Sequence, residues 1–508
     1  MDADNSCGTT ARRSTMSGST ERPNLVFIFP DRLRRDSMAC YGNDWIQSRE
    51  LNALAEGSLV FENCYVTQPV CAPARSSIVS GLYPTTAEMP VNRLVMPDRI
   101  DVVAGMVSGE YTKGYVGKWH LGDELRVRRG FDHWVSCHDN WWREYTDRSD
   151  RSRFSDYHRF LVARGIAPDQ KHPGGSTFSA SLRSALPAEL QMATFVGARA
   201  AEFIETNAAT PFVLYVSTIE PHPPFAGPYD DLYDPATLPV EETFLQAPEG
   251  STLFNRLRAE LFSRSVRDGI DLRDGEPAWR RLRANYWGAA KLVDDMVGAI
   301  LKAIDGAGIS DRTIVVFTSD HGDMVGTHGM LEMRTPYEEA TRVPLLICDP
   351  RLENGHRLIE GNVSQIDLLP TLLELLGETV PEGLQGVSRA GVVRGEETLA
   401  GNDVFVQHNG VGDRNLAAEC EDYDWPEEKL ADLNFINSQP WRCVVTADRW
   451  KLNLCAVDQG ELYDLNADPL EQTNLFDRPE QRDRVRAMAA RLRQWQQTVG
   501  DTAPLPAV

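Results

Sequence analysis

Cys71, Pro73 and Arg75 form a compact group that could do chemistry, because a thiol and a guanidinium lie within five residues of each other. We interpret the stretch that begins at Cys71 as the start of a helix. A helix start lowers the pKa of a thiol and presents free backbone N–H groups to an anion. The sequence therefore predicts that a reactive side chain and an anion meet at this point of the chain.

Three further residues follow predicted strands. Asp31 comes after the apolar run at residues 24–29, and Asp320 and His321 come after the run at residues 313–319. Carboxylate oxygens suit calcium, magnesium or manganese, and such sites tolerate one imidazole. Each acid alone would also fit a helix cap or a turn, so the metal hypothesis depends on folding to bring all three together.

Lys118, His120 and His222 follow two other apolar runs of the chain. Together with Arg75 they would supply the fixed positive charge and the hydrogen-bond donors that a tetrahedral oxyanion requires. A histidine with a pKa near neutrality can also protonate a leaving alkoxide. A lone histidine is more often structural, so the hypothesis depends on the whole cluster.

Apolar runs that end in polar, titratable residues also predict the fold class. The runs are continuous and β-rich, as expected of strands buried on both faces of a parallel sheet. Helical periodicity appears in residues 187–206, 284–304 and 367–376. The alternation predicts an α/β fold: a mainly parallel, doubly wound sheet with helices on both faces. Ligands bind outside the carboxyl ends of strands in such sheets, which is where the candidate residues stand.

The chain divides into three predicted parts. Residues 1–21 are expected to be a disordered tail, and residues 22–385 the α/β domain. Short runs separated by turns in residues 386–508 predict a smaller subdomain with an antiparallel sheet and a terminal helix. Two irregular stretches, 123–186 and 226–280, would either wall a pocket or pack on the sheet edge.

Composition excludes some classes of function. The 508 residues include 74 acidic and 52 basic side chains, which gives a formal charge of −22 and argues against nucleic acid or an anionic membrane as partner. The nine cysteines form no C-x-x-C pair, which indicates reduced thiols. The first twenty residues contain no apolar core of the signal-peptide kind, and no apolar run spans a bilayer. We therefore expect a cytoplasmic protein.

Seven segments, in chain order, resemble a known family. They are residues 22–43, 71–84, 114–122, 220–225, 319–323, 337–344 and 461–475. The second contains Cys71-Ala72-Pro73-Ala74-Arg75, which matches the C-x-P-x-R pattern of sulfatases. The chain thus resembles a sulfatase of the alkaline phosphatase superfamily from Pro23 to about Trp495.

The resemblance implies hydrolysis of a sulfate ester of a small molecule or saccharide. Cys71 would be oxidised to formylglycine by a formylglycine-generating enzyme. The metal site would consist of Asp31, Cys71, Asp320 and His321, with Ca²⁺ expected first and Mn²⁺ or Mg²⁺ as alternatives.

The resemblance also implies roles in the reaction. The aldehyde would hydrate to a geminal diol, one hydroxyl of which attacks sulfur, and the second hydroxyl lets the bound sulfate be expelled. His222 or Lys118 would donate a proton or stabilise charge. Arg75 and His120 would hold the formylglycine or its surroundings, and Asn92 is a predicted substrate contact.

Two positions depart from the family's usual pattern. Arg32 stands where the family usually has an acid or amide after the first metal aspartate, and a guanidinium cannot ligate a metal. Met333 stands where the family usually has a lysine, and a thioether cannot bind a sulfate oxygen as an ammonium does. Arg334 is the predicted replacement as substrate ligand, with Arg32 as the alternative.

Three hypotheses follow, and the first is a metal-dependent sulfatase. The second is a phosphonate monoester or phosphodiester hydrolase with the same nucleophile, although Lys118 and His120 favour sulfate. The third, motivated by Arg32 and Met333, is a weakly active or non-catalytic sulfatase relative that binds a sulfated ligand.

Overall fold

The computed structural model describes residues 22–126, 129–139, 145–172, 175–352, 356–410 and 415–508. The predicted tail at residues 1–21 lies outside these ranges. The strands are β1 (Asn24–Ile28), β2 (Leu59–Tyr65), β3 (Thr112–Gly117), β4 (His133–Ser136), β5 (Gln170–His172), β6 (Gly175–Thr177), β7 (Phe212–Ser217), β8 (Ser265–Arg267), β9 (Ile270–Asp271), β10 (Thr313–Thr318), β11 (Arg342–Val343), β12 (Leu345–Cys348), β13 (Arg357–Ser364), β14 (Val404–His408), β15 (Asp422–Tyr423), β16 (Trp441–Val445), β17 (Trp450–Cys455) and β18 (Glu461–Asp464). The α-helices are α1 (Arg49–Glu56), α2 (Cys71–Ser80), α3 (Val103–Met106), α4 (Asp156–Val162), α5 (Ala180–Ser184), α6 (Met192–Asn207), α7 (Leu253–Ser263), α8 (Glu276–Gly306), α9 (Glu338–Thr341), α10 (Leu368–Leu375), α11 (Ala390–Arg394), α12 (Glu427–Asn437) and α13 (Arg482–Val499).

A large sheet has the strand order β11-β2-β12-β10-β1-β7-β3-β4, and β13 pairs with β2. The strands from β10 to β4 are parallel to one another. Because β12 runs antiparallel to both β10 and β2, β2 points the same way as the parallel strands. The carboxyl ends of β1, β2, β3, β7 and β10 therefore lie at one edge of the sheet, and the predicted mainly parallel sheet is confirmed.

Alternate residues of β1 enter two cores, which explains why the whole strand is apolar and buried. Leu25 and Phe27 pack on one side with residues of α2 and α10. Val26 and Ile28 pack on the other side with residues of α1, α6 and α8. The predicted helices on both faces of the sheet are confirmed.

A second, antiparallel sheet of order β14-β16-β17-β18 lies near the C-terminus. Helix α13 covers one side of it through a core that includes Leu452 and Leu492. Other residues of the small sheet, Val406 and Cys443 among them, belong to the core of the large sheet. The predicted small sheet and terminal helix are confirmed, and the domain boundary at residue 385 stays a prediction.

Several predicted element boundaries shift. The helix predicted from residue 187 begins at Met192, after a short turn, and the one predicted from residue 284 begins at Glu276. Pro277 lies in the first turn of α8, where its missing N–H costs nothing. The apolar stretch around Pro344 forms two strands, β11 before the proline and β12 after it.

The cysteines within the described residues are all free thiols, as predicted. Among the helices that the structure describes, none has the length and apolarity needed to cross a bilayer.

Candidate active site

Cys71 is the first residue of α2, so the predicted helix start is confirmed. Its side chain is buried at the sheet edge where the strands end. The Sγ atom lies 3.7 Å from Asp31 Oδ1 and 3.3 Å from His321 Nε2. The predicted nucleophile thus contacts two of the predicted metal ligands.

Arg75, one turn further along α2, uses its whole guanidinium to fix the surrounding groups. Its Nε donates to Asp320 Oδ2 at 2.9 Å, and its Nη2 donates to Asp31 Oδ2 at 3.5 Å. Its Nη1 donates to the Lys118 carbonyl and to Ser217 Oγ, both at 2.8 Å. One buried cation therefore ties together the ends of β1, β3, β7 and β10.

Asp31, Cys71, Asp320 and His321 each place a ligand atom within 4.8 Å of the others, and all four are buried. His321 Nδ1 donates to its neighbour's carbonyl at 2.8 Å, which directs Nε2 at the cluster. Although burial opposes the charged ring, Asp320 and Cys71 raise the pKa of His321 to about 9. Two carboxylates and an imidazole fit a hard divalent cation. A cation bound there would displace the proton that the raised pKa leaves on the His321 ring.

The two carboxylates of the cluster have different electrostatic environments. Burial disfavours charge on both, but Lys118 and Arg75 hold the pKa of Asp31 well below its ordinary value. Burial and the charge of Asp31 raise the pKa of Asp320. Such opposite shifts are expected of acids that share one site.

Lys118 follows β3, and its Nζ donates to Asp31 Oδ2. Gly117 makes this placement possible, because a Cβ there would lie 1.7 Å from the carbonyl oxygen of Ser217. The position also has a φ of 117°, which favours glycine. The glycine before the lysine therefore lets β3 and β7 approach at the site.

His120 adopts a left-handed φ of 61°. Glu124 holds this turn, since its carboxylate accepts the backbone N–H of Trp119 at 3.1 Å and of His120 at 2.6 Å. Burial and the nearby Lys118 lower the pKa of His120 well below its ordinary value. The ring lies 5.4 Å from that of His138 and is neutral at physiological pH.

His222 follows β7 and contacts Arg32. Its Nδ1 donates to the Pro223 carbonyl at 2.9 Å, so its Nε2 accepts from Arg32 Nη2 at 3.3 Å. Burial and Arg32 lower the pKa of His222 well below its ordinary value. The ring is therefore a neutral acceptor in this arrangement.

A cavity of about 610 Å³ opens beside these groups, and Lys118 and His222 belong to its lining. Most of its wall comes from residues 137–192 and 219–230. The irregular stretch at 123–186 thus contributes to the pocket wall, one of the two roles expected for it. The stretch at 226–280 reaches the cavity only at its beginning.

The predicted substrate ligands lie in different surroundings. Asn92 Oδ1 accepts the backbone N–H of Ala72 at 3.0 Å, at the start of α2. Arg334 is fully buried, donates to Glu332 Oε2 at 3.0 Å and is absent from the cavity lining. Met333 lies in the apolar core of the large sheet.

Three acids of the site were missed by reasoning from sequence. Glu124 holds the turn at His120, and Asp323 and Glu332 face Arg32. Asp323 follows directly on the Asp-His-Gly motif, which was an available signal. Glu332 lies twelve residues past Asp320 and had no such signal.

The model of the sulfatase family matches residues 23–378. A fold with the ligand set at the carboxyl ends of parallel strands, together with this match, defines a sulfuric ester hydrolase. The chain belongs to the sulfatase family.

Similar proteins extend over nearly the whole chain. An ulvan-active sulfatase from Formosa agariphila is 25% identical, covering 94% of this chain and 81% of its own length. A phosphonate monoester hydrolase from Silicibacter pomeroyi has a TM-score of 0.75 at 21% identity, covering 94% of this chain and 96% of its own. A structure in complex with its substrate D-glucosamine-2-N,6-O-disulfate has a TM-score of 0.73 at 21% identity, covering 95% and 99%. The two solved structures show the shared fold.

Proposed function

We propose that the protein hydrolyses a sulfate ester with a formylglycine derived from Cys71 and a divalent cation held by Asp31, Asp320, His321 and position 71. The convergence of four ligand atoms within 4.8 Å carries this proposal. Calcium is the first candidate because it prefers oxygen ligands, and manganese or magnesium would also suit the set. A cysteine sulfur at position 71 is a soft ligand, which suits such cations less well than oxygen does. An oxygen at this position would complete a hard ligand set.

Formylglycine would supply an oxygen nucleophile, and the cation would supply charge that offsets the anionic ester. Lys118 would stabilise negative charge on the substrate, because its ammonium contacts Asp31 and also borders the cavity. His222 is less suited to donate a proton, because its Nδ1–H points to Pro223 and its Nε2 accepts from Arg32.

The other predicted site residues would act through their neighbours. Arg75 would fix the two carboxylates of the metal site, and His120 would shape the surroundings of Lys118. Asn92 would hold the start of α2, and Arg334 would act through Glu332.

A sulfated saccharide, or another sulfated small molecule, is the proposed substrate. The cavity of about 610 Å³ has the size of a small-molecule site. The ulvan-active relative and the structural neighbour with a disulfated glucosamine support a saccharide. A formylglycine-generating enzyme is the proposed maturation partner, and no nucleic-acid or membrane partner is proposed.

The first experiment tests the nucleophile. The chain is expressed with a formylglycine-generating enzyme, and mass spectrometry of the peptide that contains Cys71 should show the thiol converted to an aldehyde. Turnover of an aryl sulfate should disappear in Cys71→Ala and persist in Cys40→Ser, a control thiol outside the cluster. An unmodified Cys71 in active protein would refute the proposal.

Paired substrates test the alternative of a phosphonate ester hydrolase, which the fold similarity to a phosphonate monoester hydrolase keeps open. Initial rates on matched aryl sulfate and aryl phosphonate esters should favour the sulfate. A clear preference for the phosphonate would reverse the assignment, and absence of any turnover that depends on Cys71 would favour a non-catalytic binding protein.

A further inference from the structure

Arg32 is held in one conformation by contacts at its backbone. It follows β1 with a left-handed φ of 66°, which non-glycine residues rarely adopt. Its N–H donates to Asp320 Oδ1 at 3.1 Å, and its carbonyl accepts from Tyr286 Oη at 2.8 Å. The backbone is therefore fixed to the metal-site aspartate on one side and to α8 on the other.

Two acids offset the charge of the Arg32 guanidinium. Its Nη1 lies 3.1 Å from Asp323 Oδ2 and 3.8 Å from Glu332 Oε1. Asp323 is itself fixed, since its Oδ1 accepts the backbone N–H of Val325 at 3.1 Å and of Glu332 at 2.9 Å. The cation can thus stay buried beside a metal site without repelling the whole cluster.

The Nε and Nη2 edge of the guanidinium lies farther from an acid than Nη1 does. Arg32 Nε is buried and has no hydrogen-bond partner among the described residues, although it lies 3.9 Å from Asp31 Oδ1. Nη2 lies 3.3 Å from His222 Nε2, and His222 lines the cavity. A buried donor without a partner is costly, and its presence beside a ligand site indicates a group that the ligand satisfies.

We propose that Arg32 binds two oxygens of the substrate's sulfate group through its Nε and Nη2 edge. The proposal rests on the proposed function, because it places the ester next to Asp31 and Cys71. A guanidinium edge matches two oxygens of a tetrahedral oxyanion, which a point charge such as lysine does not. Neither arginine belongs to the cavity lining, but Arg32 contacts the lining residue His222, whereas Arg334 donates to Glu332. Arg32, and not Arg334, then takes the role left open by Met333.

Sulfate binding tests this role without relying on turnover. Calorimetry measures the affinity for inorganic sulfate in calcium-containing buffer, on protein with unmodified Cys71 and on its variants. Arg32→Lys keeps the charge facing Asp323 but loses the planar edge. Arg32→Gln/Asp323→Asn removes both charges of the closer pair together, and Glu332 keeps its pairs with Arg267 and Arg334. Arg35→Gln is the matched control, because Arg35 donates to the Glu62 carbonyl and stacks on Tyr41 outside the site.

Both Arg32 variants should bind sulfate about 10- to 100-fold more weakly than the wild type, the range for hydrogen bonds to a charged group. Arg35→Gln should bind sulfate like the wild type. With the matured enzyme, Arg32→Lys should raise KM for an aryl sulfate more than it lowers kcat, because the lost contact is already made in the bound ester.

Unchanged sulfate affinity in Arg32→Lys, measured where circular dichroism shows it folded, would overturn the proposal. So would a wild type without measurable sulfate affinity. If the double variant does not fold, Arg32→Lys alone decides. A missing aldehyde at Cys71 would refute the proposed function and leave the sulfate measurement intact, so the two failures are distinguishable.

Discussion

Among the described residues, two of the buried clusters of charge look alike in their electrostatics. The site cluster consists of Asp31, Arg75, Lys118, Asp320 and His321. The junction cluster lies between α9 and the small sheet, and its members are Glu338, Arg449, Lys451 and Glu471. In each, a lysine contacts a buried carboxylate, and a second carboxylate lies close by.

The carboxylate pairs in both clusters titrate unequally. At the junction, burial opposes ionisation, but Lys451, the neighbouring Arg342 and Arg449 lower the pKa of Glu338. Burial raises the pKa of Glu471 to about 8. In the site, the pKa of Asp31 is lowered and that of Asp320 is raised. Perturbed pKa values alone therefore do not separate a catalytic site from a structural one.

Convergence on a point beside a cavity separates the two clusters. The carboxylates, imidazole and thiol of the site share one small volume, and Lys118 borders the cavity. At the junction, Lys451 Nζ lies 2.7 Å from each glutamate and also donates to the Pro336 carbonyl at 2.9 Å. These contacts of Lys451 are with protein groups and not with a cavity, and they link α9 to the small sheet.

Removing the junction lysine should have the largest effect, and the effect should be on stability. Lys451→Met leaves Glu338 and Glu471 buried without their shared cation, which should cost about 3–5 kcal/mol of unfolding free energy. Urea-induced unfolding measures the loss. Lys429→Met is the control, because its pair with Glu260 is at the surface and is worth about 1 kcal/mol or less. Equal losses in the two variants would remove the structural role assigned to the junction.

Removing the site lysine should act on catalysis. Lys118→Met should lower kcat/KM by about 10²- to 10³-fold, the range for loss of one preorganised donor at a reacting oxyanion. The fold should survive, because Arg75 still contacts Asp31. Steady-state kinetics of the matured enzyme on an aryl sulfate measures this, with the exposed Lys302→Met as control. If Lys118→Met lost as much stability as Lys451→Met, the site cluster would have the same structural role as the junction cluster, and the prediction would be wrong.

Metal affinity should depend on pH through His321. Its pKa of about 9 in the cation-free protein means that a cation must displace one proton at neutral pH. Affinity should therefore rise about tenfold per pH unit below 9 and level off above it. Calorimetry in buffers of different ionisation enthalpy counts the proton. Cys71→Ala keeps the thiol out of the count and, because Cys71 helps to raise the pKa of His321, should also move the levelling-off of the affinity to lower pH. Affinity that does not change between pH 6 and 8 would contradict the prediction.

The two clusters also differ in how far sequence could predict them. Asp31, Asp320 and His321 are predictable because each follows a mainly apolar, β-rich run, the pattern of a strand buried on both faces of a sheet. The strand that leads to Cys71 was missed, since β2 contains Glu62 and Asn63.

Contacts that depend on loop geometry could not be predicted. Glu332 meets Arg32 through a loop in which Val325, His328 and Glu332 itself have positive φ values, and no local pattern specifies that path. The junction cluster depends in the same way on the docking of the small sheet against α9. The sequence thus predicts which residues could take part in a reaction, but not which charged side chains lie close enough to neutralise one another.

Asn92 should show the smallest effect, although it lies beside the nucleophile. Its Oδ1 accepts the N–H of Ala72 at the start of α2, so Asn92→Ala should cost about 1 kcal/mol, as for the loss of a helix cap. Asn92→Ser keeps a capping oxygen and should retain most of the stability, and thermal unfolding compares the two. A rise in KM in both variants without loss of stability would instead make Asn92 a substrate ligand. The position of Asn92 beside Cys71 would then matter more than its hydrogen bond to the Ala72 N–H. The distinction between catalytic and structural roles, drawn above for two clusters, would then apply within the site to a single residue.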